Sequence, residues 1–312
     1  MCIKERNASD STCKKLLRDK GCFADLCNYA FFQGRQVIQP EELVSRENDL
    51  STLIGKVDKP TEIKRYRDVV RKASIHGEYV IIGVEHQRTF DEKMIFRILN
   101  YDATIYINQV ESKQEIYPVG SFVFYTGDKE WKSPETLKET LKNIPPEMEP
   151  YINDWRLPVV ELKTMDARKL TNQRLKEVVE ISQSMFAGNY DDLRNNRKIE
   201  TENFMMAATF TRTKIKREDL PEGDEINMCE AMDRLFQRFE DQGMEKGETI
   251  GFEKGKRVEK QNTLKEQLKV KLGTLSRPLE KQLTNTSLEK LNELTLNIFN
   301  VTNEEDVLRI IN

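Results

Sequence analysis

Histidine and paired cysteines are scarce in this 312-residue chain, and their scarcity excludes common site types. The two histidines are His76 and His86, which argues against a histidine-rich zinc site. The five cysteines form no Cys-x-x-Cys pair, and the odd number indicates free thiols in a reducing compartment rather than disulfides. Cys22 and Cys27 are predicted to be helix packing residues.

Long apolar runs are also missing. No segment has the length of a membrane span, and the N-terminal MCIKERNASDSTCKK lacks the apolar core of a signal peptide. We therefore expect a cytoplasmic protein without a membrane partner.

The net charge of −3 does not indicate a nucleic-acid-binding protein. The basic residues are nevertheless clustered, so such a role is not excluded. Solvated surface charge is the alternative interpretation of each cluster. The three clusters are Lys14, Lys15, Arg18 and Lys20; Lys64, Arg65, Arg67, Arg71 and Lys72; and Arg212, Lys214, Lys216 and Arg217.

The segment 66–87, YRDVVRKASIHGEYVIIGVEHQ, has the pattern of a β-hairpin. A two-residue turn at His76-Gly77 pairs Ile75 with Glu78, which fixes the register of the strands. Counting outward from that pair places Asp68 opposite Glu85, with Cβ atoms about 5 Å apart. Two carboxylates in this position repel each other unless a positive charge lies between them.

A bound Mg²⁺ or Mn²⁺ would supply that charge, since these ions prefer oxygen ligands. Asp68 and Glu85 offer carboxylates, and the backbone carbonyl of His86 could complete the set. Gln87 projects from the same face as Glu85. Its amide does not titrate, so it could orient a water or contact a phosphate but not act as a base. Ordinary solvated strand residues are the alternative.

The rest of the chain alternates strands with helices, which predicts an α/β core with a mixed sheet. The second hairpin strand is apolar on both faces up to Glu85, as in a sheet covered on both sides. Further strands are predicted at 118–125 and 157–162, and helices at 13–33, 91–110, 166–187 and 224–260.

Three segments are expected: a core domain at 1–222, a connecting helix at 223–262 and a helical C-terminal domain at 263–312. The connecting helix has a glycine at every fourth position, namely Gly243, Gly247, Gly251 and Gly255. This spacing indicates either a pliable connector or a seam approached by another helix. The C-terminal domain is expected to serve packing or self-association, and a homo-oligomer could form through it.

Two blocks of the sequence resemble the Rpn family of recombination-promoting nucleases, also described as putative transposases. In YVIIGVEHQRTFDEKMIFRILNYDATI, an apolar strand ends in Glu-His-Gln and a helix with a Met-x-x-Arg-x-Leu-x-Tyr pattern follows. The second block is YPVGSFVFYTGDKEWKSPETL. The matching residues are Glu85, His86, Gln87, Met94, Arg97, Leu99 and Tyr101, then Pro118, Val119, Tyr125, Gly127, Trp131 and Pro134.

The resemblance implies a PD-(D/E)xK restriction-endonuclease-like core, with a mixed sheet flanked by helices and a small all-α C-terminal unit. Asp68 and Glu85 would be the metal carboxylates, and Gln87 stands where most such nucleases have lysine. Asp25 is a candidate for a further acid near the metal, with Asp19 as the alternative.

Basic residues of the hairpin would contact DNA in such a nuclease. Arg97 and Tyr101 would either contact phosphate or brace the hairpin. The complete set of candidate DNA contacts is Arg65, Arg67, Arg71, Lys72, Arg97 and Tyr101.

The sequence therefore predicts a Mg²⁺-dependent DNA endonuclease of low sequence specificity, linked to recombination or mobile elements. A decayed nuclease fold that binds DNA or assembles with proteins is the alternative from another class. The residues do not exclude RNA as the substrate of the same metal-dependent chemistry.

Overall fold

The computed structural model describes residues 3–44, 69–113 and 115–311, without the side chains of residues 3–7 and 242. The chain divides into two compact units, Met1–Arg234 and Leu235–Asn312. Each unit has a hydrophobic core of its own.

The first unit begins with two helices, α1 (Ile3–Arg18) and α2 (Lys20–Phe32). The single helix predicted at 13–33 is wrong, because Asp19 interrupts it. Its backbone is extended, and its side chain accepts a 2.8 Å hydrogen bond from the Cys22 amide. Asp19 thus acts as the N-cap of α2, satisfying an amide that has no partner within the helix.

Strands β1 (Val69–Ile75) and β2 (Glu78–Gln87) form the predicted hairpin. The turn residues His76 and Gly77 have φ angles of 53° and 88°, as a type I′ turn requires. Pairing runs from Ile75 opposite Glu78 to Val69 opposite Val84, so the predicted register is confirmed over these residues. Asp68, the next residue, lies outside the described residues, as do Arg65 and Arg67.

The main sheet has the order β1-β2-β3-β4. Helix α3 (Met94–Glu111) follows β2 and leads to β3 (Val119–Tyr125), which pairs parallel to β2. β4 (Val159–Glu161) continues the sheet in parallel, after the one-turn helix α4 (Leu137–Thr140). The predicted mixed sheet in an α/β core is confirmed.

Apolar side chains cover both faces of this sheet. On one face Met94 and Ile98 of α3 pack with Val123 and Tyr125. On the other face Val84, Phe122 and Phe124 pack with α1, α2 and two later helices. Those helices are α5 (Gln173–Ala187) and α6 (Thr201–Thr211). Full burial of one such side chain stabilises the fold by roughly 1.5–3 kcal/mol.

The segment before the hairpin lies against the outer edge of β1. Leu43 forms an antiparallel bridge with Ala73, and the Val44 amide donates a 3.0 Å hydrogen bond to the Lys72 carbonyl. Leu43 is buried, with 2% of its surface exposed. The middle of this strand edge is therefore occupied by the chain itself.

Helix α5 begins later than predicted. The prediction of a helix over 166–187 is wrong for its first turns, because the helix starts at Gln173 and a short 3₁₀ turn covers Ala167–Lys169. Asn172 caps α5 by accepting a 2.9 Å hydrogen bond from the Leu175 amide. A small antiparallel pair, β5 (Lys198–Glu200) with β6 (Glu225–Asn227), completes the first unit's strands.

Helix α7 (Met228–Leu272) runs through the position at which the two units divide. In the second unit its last turns pack with three short helices around a leucine-rich core. These are α8 (Arg277–Asn285), α9 (Leu288–Asn297) and α10 (Glu304–Ile311). The predicted domain limits at 222 and 262 differ from these bounds, and the proposed three-segment division stays a prediction.

The glycines at 243, 247, 251 and 255 all lie within α7. Apart from its chain neighbours and the backbone of its own helix, a Cβ atom built on any of them would meet no described atom within 4 Å. No described residue therefore packs closely against this glycine row.

No helix among the described residues has both the length and the apolar character needed to cross a lipid bilayer.

Candidate active site

Glu85 is a charged residue near the end of an apolar strand. Only 4% of its surface is exposed, and it projects toward α3 because alternate residues of β2 face opposite sides of the sheet. Its Oε1 atom accepts two hydrogen bonds, one of 2.8 Å from Arg97 Nη2 and one of 3.3 Å from Gln87 Nε2. A buried carboxylate needs such partners, since desolvation of an unpaired charge is costly.

Arg97 reaches Glu85 from the first turn of α3 and binds a second carboxylate. Its Nη1 atom donates a 3.0 Å hydrogen bond to Asp91 Oδ2. Burial alone would lower the pKa of Arg97, but the Tyr101 hydrogen bond, Asp91 and the charge of Glu85 outweigh it, so the pKa is raised. Arg97 is therefore a cation that is ion-paired with the hairpin at Glu85. Its two predicted roles, bracing the hairpin and contacting phosphate, both stay predictions.

Gln87 lies beside Glu85 on the same face, as predicted, and is almost fully buried. Its side-chain nitrogen donates to Glu85 while its backbone carbonyl accepts a 2.8 Å hydrogen bond from the Thr126 amide. The first bond holds the side-chain amide, and the second holds the backbone of Gln87.

The His86 side chain points to the opposite face of the sheet. Its Nδ1 lies 2.9 Å from Asp10 Oδ1 and its Nε2 lies 2.9 Å from Thr126 Oγ1. The imidazole is therefore not a ligand for an ion at Glu85, which leaves its backbone carbonyl as the predicted donor. Sequence reasoning missed Asp10 and Thr126, because no local pattern relates positions 10, 86 and 126.

Asp25 and Asp19, the two candidate additional acids, both have structural partners. The Asp25 carboxylate accepts 2.9 Å hydrogen bonds from the amides of Thr171 and Asn172, and 3.1 Å bonds from the Thr171 hydroxyl and Gln36 Nε2. Asp19 caps α2. Both acids therefore hold the backbone in place, and a metal-assisting role stays a prediction.

The described basic residues of β1 contact the protein's own chain. Arg71 donates hydrogen bonds of 3.0 and 2.9 Å to the carbonyls of Leu17 and Arg18, at the end of α1. The Lys72 ammonium lies 4.0 Å from the ring centre of Tyr79 and 3.7 Å from that of Tyr117. DNA contact by Arg71 and Lys72 stays a prediction.

A groove of about 500 Å³ lies along α3 beside Arg97. Its lining combines cationic, amide and aromatic side chains, namely Lys93, Phe96, Arg97, Asn100 and Tyr101. Phe96 is 42% exposed. Sequence reasoning missed Lys93, Phe96 and Asn100, although they lie opposite the apolar stripe of the helix.

The second resembling block forms a packing cluster rather than a polar site. Trp131 packs edge-on against Tyr125, with ring centres 5.0 Å apart, and against Phe90 at 5.4 Å. A Cβ atom at Gly127 would overlap the Tyr125 hydroxyl and lie 2.6 Å from the Arg88 carbonyl. Close packing therefore requires glycine here.

The oxygen donors present fit a hard divalent cation in type. Glu85 offers a carboxylate, and the next residue, His86, offers a backbone carbonyl oxygen. Of the predicted acid pair, only Glu85 lies within the described residues, and its Oε1 is shared with Arg97. Within residues 3–44, 69–113 and 115–311, no three His, Cys, Asp or Glu side chains form a group that could hold a metal.

These features define the class: a mixed α/β protein with a buried acidic site on a hairpin, followed by a crossover helix. A family model described as "Putative transposase, YhgA-like" matches residues 61–212. This segment, which contains β1, β2, α3 and the groove along α3, is therefore similar to the YhgA-like putative transposases. The family resemblance predicted from the sequence is confirmed. Comparison with curated proteins found no match, and comparison with solved structures found none either.

Proposed function

We propose that this chain is a Mg²⁺- or Mn²⁺-dependent DNA endonuclease with little sequence specificity, acting in recombination or mobile-element biology. The observation that carries the proposal is the buried Glu85 carboxylate at the end of β2, with Gln87 and Arg97 on its Oε1. This arrangement lies inside the segment that the putative-transposase family model matches.

The core would be of the PD-(D/E)xK type. An antiparallel hairpin, a crossover helix and a parallel strand follow one another as β1, β2, α3 and β3. The Glu85 carboxylate would then lie near the end of β2, next to Arg97, which borders the groove along α3.

The proposed metal donors are Asp68, Glu85 and the His86 carbonyl. When bound, Mg²⁺ would polarise the scissile phosphate and lower the pKa of an attacking water. Gln87 would orient that water through its amide, since it cannot take up a proton at neutral pH. Its fixed position beside Glu85 suits this task.

The groove along α3 is the proposed path for the DNA backbone. Lys93, Arg97 and Asn100 present donors to it, and phosphate oxygens accept from such side chains. Binding that depends on these cations should weaken steeply as salt is added. Low sequence specificity follows, because phosphate contacts do not distinguish bases.

Plasmid cleavage tests the proposal. Purified protein should cut supercoiled plasmid with Mg²⁺ or Mn²⁺ but not with Ca²⁺, and Asp68→Ala and Glu85→Ala should reduce cutting at least about 100-fold. Glu135→Ala is the matched control, because Glu135 is an exposed acid paired with Arg156. Uncut plasmid under all conditions, or full activity in both site variants, would contradict the proposal.

A non-catalytic binding or assembly protein is the second candidate. Two residues favour it. Gln87 stands where most PD-(D/E)xK nucleases have lysine, and Arg97 already neutralises Glu85. DNA binding without Mn²⁺ binding or cleavage would support it. The same cleavage assay with an RNA substrate decides between the two nucleic acids.

Self-association through the second unit is also proposed. Leu296 and Phe299 are 82% and 88% exposed there, and a second copy could cover them. Analytical ultracentrifugation of wild type and Phe299→Ser tests this, with a purely monomeric wild type as the contradicting result.

A further inference from the structure

Arg97 and Glu85 form an ion pair of unequal burial. The Glu85 side chain is 5% exposed, whereas the Arg97 side chain is 31% exposed and borders the groove along α3. The acid is fixed in the sheet, and the guanidinium lies at the boundary with solvent. Of the two partners, Arg97 is the one with room to move.

The oxygen that Arg97 holds, Oε1, is one of the two carboxylate oxygens through which Glu85 could bind a divalent cation. A guanidinium and a divalent ion on the same oxygen would repel each other strongly, since two charges at contact distance interact by several kcal/mol even near a surface. A buried carboxylate that lost Arg97 with no other cation in its place would lose one of its neutralising partners. Arg97 and the divalent ion are therefore alternative counterions.

We propose that Arg97 is an internal counterion that releases Glu85 Oε1 when a divalent cation binds and then faces the groove, where it meets a DNA phosphate. This inference rests on the proposed metal-dependent function. On this inference Arg97 exchanges between Glu85 and a DNA phosphate and does not serve as a fixed brace of the hairpin.

The contacts of Arg97 make this exchange a short movement. Nη2 holds Glu85, while Nη1 holds Asp91 at 3.0 Å, and the side chain also has a hydrogen bond with Tyr101. Asp91 and Tyr101 can retain the guanidinium after Nη2 leaves Glu85. The freed Nη2 donor would then be available to a phosphate beside Lys93 and Asn100.

A fixed brace predicts a different result from an exchanging counterion. If Arg97 only braces the hairpin, its removal loosens the site, and metal affinity falls or stays the same. If Arg97 competes with the metal, its removal raises metal affinity while it lowers the stability of the metal-free protein. The two signs are opposite, so a binding measurement separates them.

The experiment is calorimetric titration of the full chain with Mn²⁺. Arg97→Met should bind Mn²⁺ at least about tenfold more tightly than wild type. Its Tm without metal should be lower, and its gain in Tm on adding Mn²⁺ should be larger. Arg97→Lys should behave like wild type, because it keeps a cation beside Glu85. Arg156→Met, at an exposed pair with Glu135, is the matched control and should change neither quantity.

Equal or weaker Mn²⁺ binding by folded Arg97→Met overturns the inference. If wild type still binds Mn²⁺ through Glu85, as judged by Glu85→Ala, the proposed function survives that result. If neither protein binds Mn²⁺, both proposals fail.

Should Arg97→Met not fold, Asp91→Asn replaces it. Asp91→Asn removes the competing acceptor and should hold Arg97 on Glu85, so Mn²⁺ binding should weaken about threefold or more. An unchanged affinity in Asp91→Asn would then overturn the inference.

Discussion

His86 Nδ1 lies 2.9 Å from Asp10 Oδ1, which joins the end of β2 to helix α1. Together with the Nε2 contact to Thr126, this gives both ring nitrogens a protein partner in a fully buried side chain. Position 86 thus stabilises one face of the sheet with its side chain, while Glu85 and Gln87 occupy the other.

Removal of the imidazole should therefore lower the stability of the fold and leave the metal affinity almost unchanged. We expect His86→Ala to lower the free energy of unfolding by about 2–4 kcal/mol, because two hydrogen bonds are lost and a cavity forms. Urea denaturation measures this, with His76→Asn in the hairpin turn as the matched control. Mn²⁺ affinity should change little, since the backbone carbonyl remains. A loss below about 0.5 kcal/mol would contradict the structural role.

Asp25→Asn should destabilise the first unit. The carboxylate accepts four hydrogen bonds, two of them from the amides that precede α5, and an asparagine side chain offers only one oxygen acceptor. A loss of about 2–3 kcal/mol is expected, measured by chemical denaturation. Glu41→Gln, at an exposed acid in a short turn, serves as the control. Mn²⁺ titration of the folded variant decides whether Asp25 also assists a metal.

Glu202 makes the stability of the first unit depend on pH. It forms ion pairs with Lys15 of α1 and Arg174 of α5. The Lys15 hydrogen bond and the Arg174 charge lower the pKa of Glu202 below its ordinary 4.5. A lowered carboxyl pKa stabilises the fold above about pH 4.5, and this stabilisation is lost as pH falls through the folded-state pKa.

Glu202→Gln should consequently be less stable than wild type at pH 7 by about 0.5–1 kcal/mol, given the partial exposure of these pairs. The difference should shrink as pH falls below 4.5. Thermal melts of both proteins from pH 3 to 7 give the comparison. A difference that stays constant over this range would rule out the ionic origin.

Two glycine-to-alanine substitutions should have opposite signs. At Gly127 a methyl group would overlap the Tyr125 hydroxyl, so Gly127→Ala should destabilise the first unit by about 1–3 kcal/mol. At Gly247 an added methyl group would meet no described atom within 4 Å beyond its chain neighbours and the backbone of its own helix, so Gly247→Ala should stabilise α7 by about 0.5–1 kcal/mol. Thermal melts followed by circular dichroism measure both. A destabilised Gly247→Ala would instead indicate a packed seam at the glycine row.

Local sequence rules were sufficient to predict the register of the hairpin and the placement of Glu85 and Gln87 on one face of β2. A two-residue turn fixes strand register, so the pairing of Ile75 with Glu78 followed from the sequence and is confirmed. Strand alternation likewise placed Glu85 and Gln87 together, and their side chains are in contact. In contrast, the helix break at Asp19 was missed, because the apolar period continues across it.

The partners of these residues could not be read from local patterns. Asp10 contacts a histidine 76 positions later, and Asp25 contacts Thr171 at a separation of 146. Such pairs depend on how helices are placed on the sheet, which residue spacing does not encode. The pairing of Arg97 with Glu85 could have been predicted, because Arg97 lies in the first turn of the helix that follows β2. The sequence was, however, equally compatible with two roles for Arg97, bracing the hairpin and binding phosphate.

The bridge between Leu43 and Ala73 has a consequence for behaviour at high concentration. An uncovered edge strand can pair with a strand of another molecule and seed sheet extension. Here Val44 already uses the Lys72 carbonyl in the middle of β1, and at the opposite edge β4 has only three residues. Within the described part of the sheet, neither edge offers a long row of backbone groups to a neighbouring molecule, so β-aggregation through these two edges is disfavoured.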